Sequence, residues 1–219
     1  MERPRPQPGP PFLPIFVRGL ATAAVLVAPA ACMHAVPRYL DPPPLPAGVK
    51  VEVCETTYLV YGYTFDDLEA SLATQSPMYS GEHVWGLAQW RVAWTFQPDV
   101  HKDHCDVAQV RVHLTVDVIL PEWQNATSAS PEFRLVWQDF ADAVRAHEYG
   151  HRDRAFLAAE EIHDTLKRIR EVDCGELAAV VDARAHQVLE RHRALDEEYE
   201  RRTRRGLDQG AAWPPGTGY

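Results

Sequence analysis

SPEFRLVWQDFADAVRAHEYGHRDRAFLAAEEIHDTLKRIR, residues 130–170, is the stretch whose reading decides the fold. Ser130-Pro131-Glu132 is a helix start: a serine cap, a proline in the first turn and an acidic residue near the positive end of the helix dipole. Apolar residues then recur at helical spacing, at Phe133, Val136, Trp137, Phe140, Val144, Phe156, Ile162, Leu166 and Ile169. This pattern predicts one long helix running to about Arg170. Cys174-Gly175 breaks it, and Leu177, Val180, Val181, Val188, Leu189 and Leu195 predict a second helix over about 176–203.

Upstream the period changes from helical to alternating. Val51 to Tyr63 is rich in Val, Thr and Tyr and reads as a strand. Thr64 and Asp67 make a capping pair for a short helix carrying Phe65, Leu68 and Leu72. After a loop over 74–83, Leu87 to Phe96 places Trp90, Val92, Trp94 and Phe96 on one strand face. Residues 97–104 read as a polar turn. Val107 to Leu120 is the plainest strand, with Val110, Val112, Leu114, Val116 and Val118 alternating against Arg111, His113, Thr115 and Asp117, and Pro121 ends it. The short connection predicts an antiparallel hairpin. Strands followed by helices give an α+β fold, an antiparallel sheet packed on two long helices.

The ends of the chain have a different character. Arg3, Arg5 and Arg18 precede an apolar run closing on Ala28-Pro29-Ala30, the pattern of a signal peptide over residues 1–31. Residues 32–50 form a proline-rich linker, 51–210 the folded domain and 211–219 an irregular tail. Cys32, if acylated, would be a lipid anchor and the chain's only link to a membrane. The chain is therefore expected to be exported, to the periplasm or beyond, where cysteines can oxidise. A Cys105–Cys174 bridge would tie the sheet to the helical half, and Cys54 could pair with Cys32; spacing alone leaves the connectivity open. A formal net charge of -9 argues against nucleic acid as a partner.

Inside the long helix stands His147-Glu148-Tyr149-Gly150-His151, an HExxH motif. Spacing i to i+4 puts both imidazoles on one helix face, so His147 and His151 can share one metal, expected to be zinc. Glu148 falls beside that metal, where it serves as general base for the attacking water. Gly150 costs a helix interior about 1 kcal/mol against alanine, which predicts that a substrate or a neighbouring strand comes close there. A catalytic zinc needs a third protein ligand. Glu160 and Glu161 lie too far round the helix from His151. His186, His192, Asp196, Glu197 and Glu200 on the second helix are all available. Asp153 is a candidate to orient a ligand, with a salt bridge to a neighbouring arginine as the plainer alternative.

The residues together resemble the DUF922 family, predicted secreted zinc-dependent proteases of bacteria. The resemblance rests on Trp90-Arg91-Val92-Ala93-Trp94, Cys105 with the valine-rich strand, and Leu120-Pro121-Glu122-Trp123. It continues through Trp137, His147 to Asp153, Cys174, Tyr199, Thr203 and Gly206. It implies zinc at His147 and His151, Glu148 as the catalytic base, a zincin-like motif helix, a peptide or protein substrate and the Cys105–Cys174 bridge. Similar proteins have a histidine just before the glycine near the C-terminus, and here Arg205 stands in that place. Glu200 is then the candidate third ligand. The competing expectation is a non-catalytic or degenerate relative in the cell envelope.

Overall fold

The computed structural model describes residues 44–216 except Glu171. The expected signal segment, Cys32 and the first part of the linker lie outside the described residues. The elements in chain order are β1 (Val49–Val60), α1 (Phe65–Gln75), β2 (Met78–Tyr79), β3 (Glu82–His83), β4 (Leu87–Val100), β5 (Cys105–Trp123), α2 (Pro131–Lys167) and α3 (Leu177–Thr203).

The fold is α+β, but the main sheet is mixed rather than antiparallel. Its order is β1-β5-β4. β4 and β5 pair antiparallel as a hairpin, whereas β1 runs parallel to β5, from Val49 opposite Val112 to Val60 opposite Trp123. The hairpin is local and its short turn marks it. The β1–β5 pair is a crossover partnership, closed only after the chain has passed through α1, β2, β3 and β4, and no local pattern encodes its direction.

Pro121 lies within β5 instead of ending it. β4 accompanies β5 only as far as Ile119 opposite Leu87, so Pro121 sits where the strand has lost its neighbour on that side, an edge position that tolerates a missing N–H. At the other end, the pairing slips between Gln97 and Pro98, leaving Ala108 as an extra residue. This bulge shifts the inward phase of β5, so Val107 and Cys105 are buried as well as Val110, Val112, Leu114, Val116 and Val118.

Those residues make the floor on which α2 packs. Phe140, Val144, Phe156, Ile162 and Leu166 come down onto it, all nearly inaccessible, and each such side chain contributes about 1.5–3 kcal/mol on burial. Both predicted caps are present. The Ser130 hydroxyl accepts from the Phe133 N–H, and Thr64 and Asp67 form a reciprocal capping box. The described part of the tail, residues 211–216, is packed: Trp213 sits among Phe65, Phe133, Trp137 and Phe140, and its indole N–H donates to the Phe65 carbonyl.

Cys105 and Cys174 are joined in a disulfide, which the resemblance had implied. Beside it, Cys105 exchanges two backbone hydrogen bonds with Val172, and the Val107 N–H donates to the Ile169 carbonyl. The α2–α3 connection thus continues the sheet at the start of β5, where β1 does not reach. The bridge closes a sequence separation of 69 residues, worth about 4 kcal/mol by loop-closure entropy. Replacing both cysteines by serine is expected to lower stability by that order, read as a falling denaturation midpoint that matches reduction of the native chain.

Candidate metal centre

α2 has an unusual buried face. His147, Glu148, His151 and Arg152 are each about 5% exposed, on a surface where burial without a partner would cost several kcal/mol. Each has partners: Arg152 finds them within α2, in Asp153 and Tyr149, and the other three draw theirs from three other parts of the chain.

His147 and His151 bring their Nε2 atoms to 3.4 Å from each other. From α3, one Glu200 carboxylate oxygen lies 2.8 Å from the His151 Nε2 and 3.6 Å from the His147 Nε2. Ligands placed tetrahedrally about 2.0–2.1 Å from an ion stand about 3.3 Å from one another. These three atoms therefore have the spacing of three corners around one ion, with the fourth corner left for water or substrate.

The outer ring nitrogens are also engaged. The His151 Nδ1 meets an Asp196 oxygen at 2.8 Å, and the His147 Nδ1 meets the Gln209 side-chain oxygen at 2.9 Å. An acceptor on Nδ1 holds the proton there and turns the Nε2 lone pair inward. Burial works against charge on His151, but the Asp196 and Glu200 carboxylates outweigh it, and its pKa rises to about 9. Burial likewise acts against an ionised Glu200, yet the two imidazoles hold that carboxyl far below the usual range. The cluster is thus an electrostatic cradle in which a proton and a metal compete for the same Nε2.

Glu148 points to the sheet side. Its carboxyl accepts from the Ala88 N–H, and burial pushes its pKa up to about 7 against the pull of His147 and His151. Gly86 makes the approach feasible, since a Cβ there would stand 2.7 Å from the Glu148 Cγ and from Val144. The side chain is held between β4 and the two histidines, with a pKa suited to giving and taking protons near neutrality.

Gly150 is explained by α3, not by a strand or substrate. A Cβ there would lie 2.1 Å from the Tyr199 hydroxyl, which donates to the His147 carbonyl while its ring stacks on the His147 imidazole at 5.1 Å. Gly150→Ala is expected to push Tyr199 off His147 and cost about 1–3 kcal/mol, measurable by denaturation together with weaker metal uptake.

The other candidates go elsewhere. His192 and Arg191 pair with Glu161. The His186 Nδ1 meets the Asp182 carbonyl. Asp153 pairs with Arg152, whose guanidinium lies over Tyr149, so it orients no ligand of this centre. Arg205 pairs with Glu82 on β3, and its side chain is 69% exposed. Arg205→Ala should therefore leave metal stoichiometry unchanged, as counted by elemental analysis. Gln209 and Gly86 escaped the sequence reading. Gln209 lies in a short 3-10 turn that gives no periodic signal, and Gly86 resembles any loop glycine. Asp196 was weighed only as a ligand.

A sequence model of one family, described as a bacterial protein of unknown function (DUF922), matches residues 55–206. The chain belongs to the DUF922 family. Comparisons with curated proteins and with solved structures return no match. The DUF922 match runs from Glu55, midway along β1, to Gly206, so it includes His147, Glu148, His151, Asp196, Tyr199 and Glu200 but ends before Gln209. The centre opens into a cleft of about 2290 Å³ between β4 and α3, lined near the histidines by Trp85, Gly86, Trp90 and Arg205.

Proposed function

We propose that this DUF922 chain is an exported zinc-dependent protease, hydrolysing peptide or amide bonds in the cell envelope. The observation that carries the reading is the triangle of His147, His151 and Glu200 donor atoms with buried Glu148 beside it. Two imidazoles and a carboxylate, with a fourth corner open, are a donor set suited to a catalytic zinc. Zinc, when bound, supplies Lewis acidity that lowers the pKa of water and polarises a carbonyl.

The chain's own groups do the rest. Glu148 accepts the proton that the attacking water gives up and returns it to the leaving amine. Asp196 and Gln209 keep the two imidazoles turned inward. The long cleft along β4 accepts an extended chain, and the mixed apolar and charged lining suits a polypeptide. The disulfide supports an oxidising compartment. Glu200 offers an oxygen where Arg205 cannot, which favours catalysis over the degenerate reading.

The test is to cleave a denatured, fluorescently labelled protein with the purified chain. Expected are one zinc in the cleft, loss of that zinc in His147→Ala, loss of cleavage on chelation and recovery when zinc is returned. A well-folded chain whose cleavage is indifferent to chelators, or whose cleft takes up no zinc, would overturn the reading.

A further inference from the structure

We propose that the β4–β5 hairpin turn holds a second, separate metal site, formed by His101, His104 and Asp106, that takes a first-row divalent ion such as Zn²⁺ or Ni²⁺. The three side chains bring one donor atom each within 4.8 Å of one another. The His101 Nε2 lies 3.7 Å from one Asp106 oxygen and the His104 Nε2 lies 4.0 Å from the other. Both distances are too long for hydrogen bonds. They are a few tenths of an ångström wider than the roughly 3.3–3.6 Å between ligands placed tetrahedrally about 2.0–2.2 Å from an ion, a gap that small side-chain rotations in an exposed turn can close.

The turn is built to aim these groups. The His104 Nδ1 meets an Asp103 oxygen at 2.9 Å, a contact that fixes the orientation of the ring and turns its Nε2 toward Asp106. The two imidazoles stack with centroids 4.5 Å apart. The His101 N–H donates to the His104 carbonyl, Val100 pairs with Cys105, and Cys105 is anchored by its disulfide. The backbone under the three side chains is thus fixed on both sides.

Among the described residues, the balance of charge favours a cation. Asp99, 3.8 Å from the His101 Nε2, joins Asp103 and Asp106 against Lys102 and Arg170, whose Nε lies 3.5 Å from Asp106. Two imidazoles and a carboxylate are borderline donors, suited to zinc and nickel more than to calcium or magnesium. The rings are partly exposed, so water can complete the coordination. The site is independent of the cleft: Glu148 meets the start of β4, and a strand of 14 residues carries the hairpin roughly 40 Å away.

Equilibrium dialysis of the metal-free chain, with Zn²⁺ and with Ni²⁺, tests this. We expect two ions per native chain, one in His101→Ala/His104→Ala and one in His147→Ala/His151→Ala. Asp103→Asn should weaken the hairpin site about tenfold and leave the cleft ion unchanged. One ion per native chain, lost only with His147 and His151, overturns this inference and leaves the protease reading standing. One ion lost only with His101 and His104 does the reverse. Should a double variant fail to fold, Ni²⁺ added to the native chain gives an NMR reading. Broadening of the His101 and His104 ring signals is expected, and sharp signals at saturation would refute the site.

Discussion

Glu148→Gln is expected to lower the rate of peptide cleavage by about 10²–10⁴-fold, the usual contribution of a positioned general base, while metal content stays at the native level. The amide nearly matches the carboxylate in size and still accepts from the Ala88 N–H through its oxygen, so the packing against Gly86 and Val144 is kept. It cannot take a proton. The loss should therefore appear in kcat, with KM little changed.

The same variant carries a second, opposite signature in the metal-free state. Burial raises the Glu148 pKa from about 4.5 to about 7. A carboxyl whose folded pKa is raised contributes its stability fully below about pH 4.5 and loses it as pH rises through about 7. Metal-free native chain should thus be less stable than metal-free Glu148→Gln at pH 8, by a few kcal/mol, and the two should converge near pH 4. A bound cation acts against burial and stabilises the charged form, so the gap should shrink when zinc is added. Denaturation of both proteins across that pH range, with and without metal, measures it. A variant that is inactive but no more stable at pH 8 would mean that Glu148 is not held in a desolvated site.

The sequence made the local parts of this molecule legible. The HExxH spacing places two imidazoles on one face because helix geometry leaves no other choice, and Ser130-Pro131 and Thr64-Asp67 announce helix starts through backbone chemistry within four residues. The alternation of β5 shows which side is core. What stayed hidden depends on contacts between distant segments. β1 pairs with β5 across an interval of whole elements, and its parallel direction has no signature in either strand. Pro121 reads as a strand end because a proline's tolerance depends on whether a neighbour is present. Gln209 reaches His147 from a turn 62 residues away, and nothing in its own surroundings marks it. Gly150 is intermediate: its cost in a helix announced a close approach, but the partner, Tyr199, comes from α3.

The choice of third ligand has the largest expected effect on metal binding. Glu200→Ala should weaken zinc uptake in the cleft by more than 100-fold. This exceeds the 10–100-fold expected for Asp196→Asn, which only disturbs the orientation of His151. Glu200 is the side chain that puts an oxygen 2.8 Å from the His151 Nε2 and 3.6 Å from the His147 Nε2. Without it two imidazoles remain, and a two-ligand site on one helix binds far less tightly than a three-ligand one. Asp196 cannot move in as a substitute without releasing the His151 Nδ1. Arg205 brings a positive charge in the same cleft, directed to Glu82, so it offers no donor. Glu200→Gln separates charge from reach: the amide oxygen can still approach, but it no longer offsets the ion's charge, so an intermediate loss is expected. Competition titrations with a chromophoric chelator would rank native, Asp196→Asn, Glu200→Gln and Glu200→Ala. An affinity for Glu200→Ala within threefold of native would exclude Glu200 from the first coordination sphere and return the third position to another segment of the cleft.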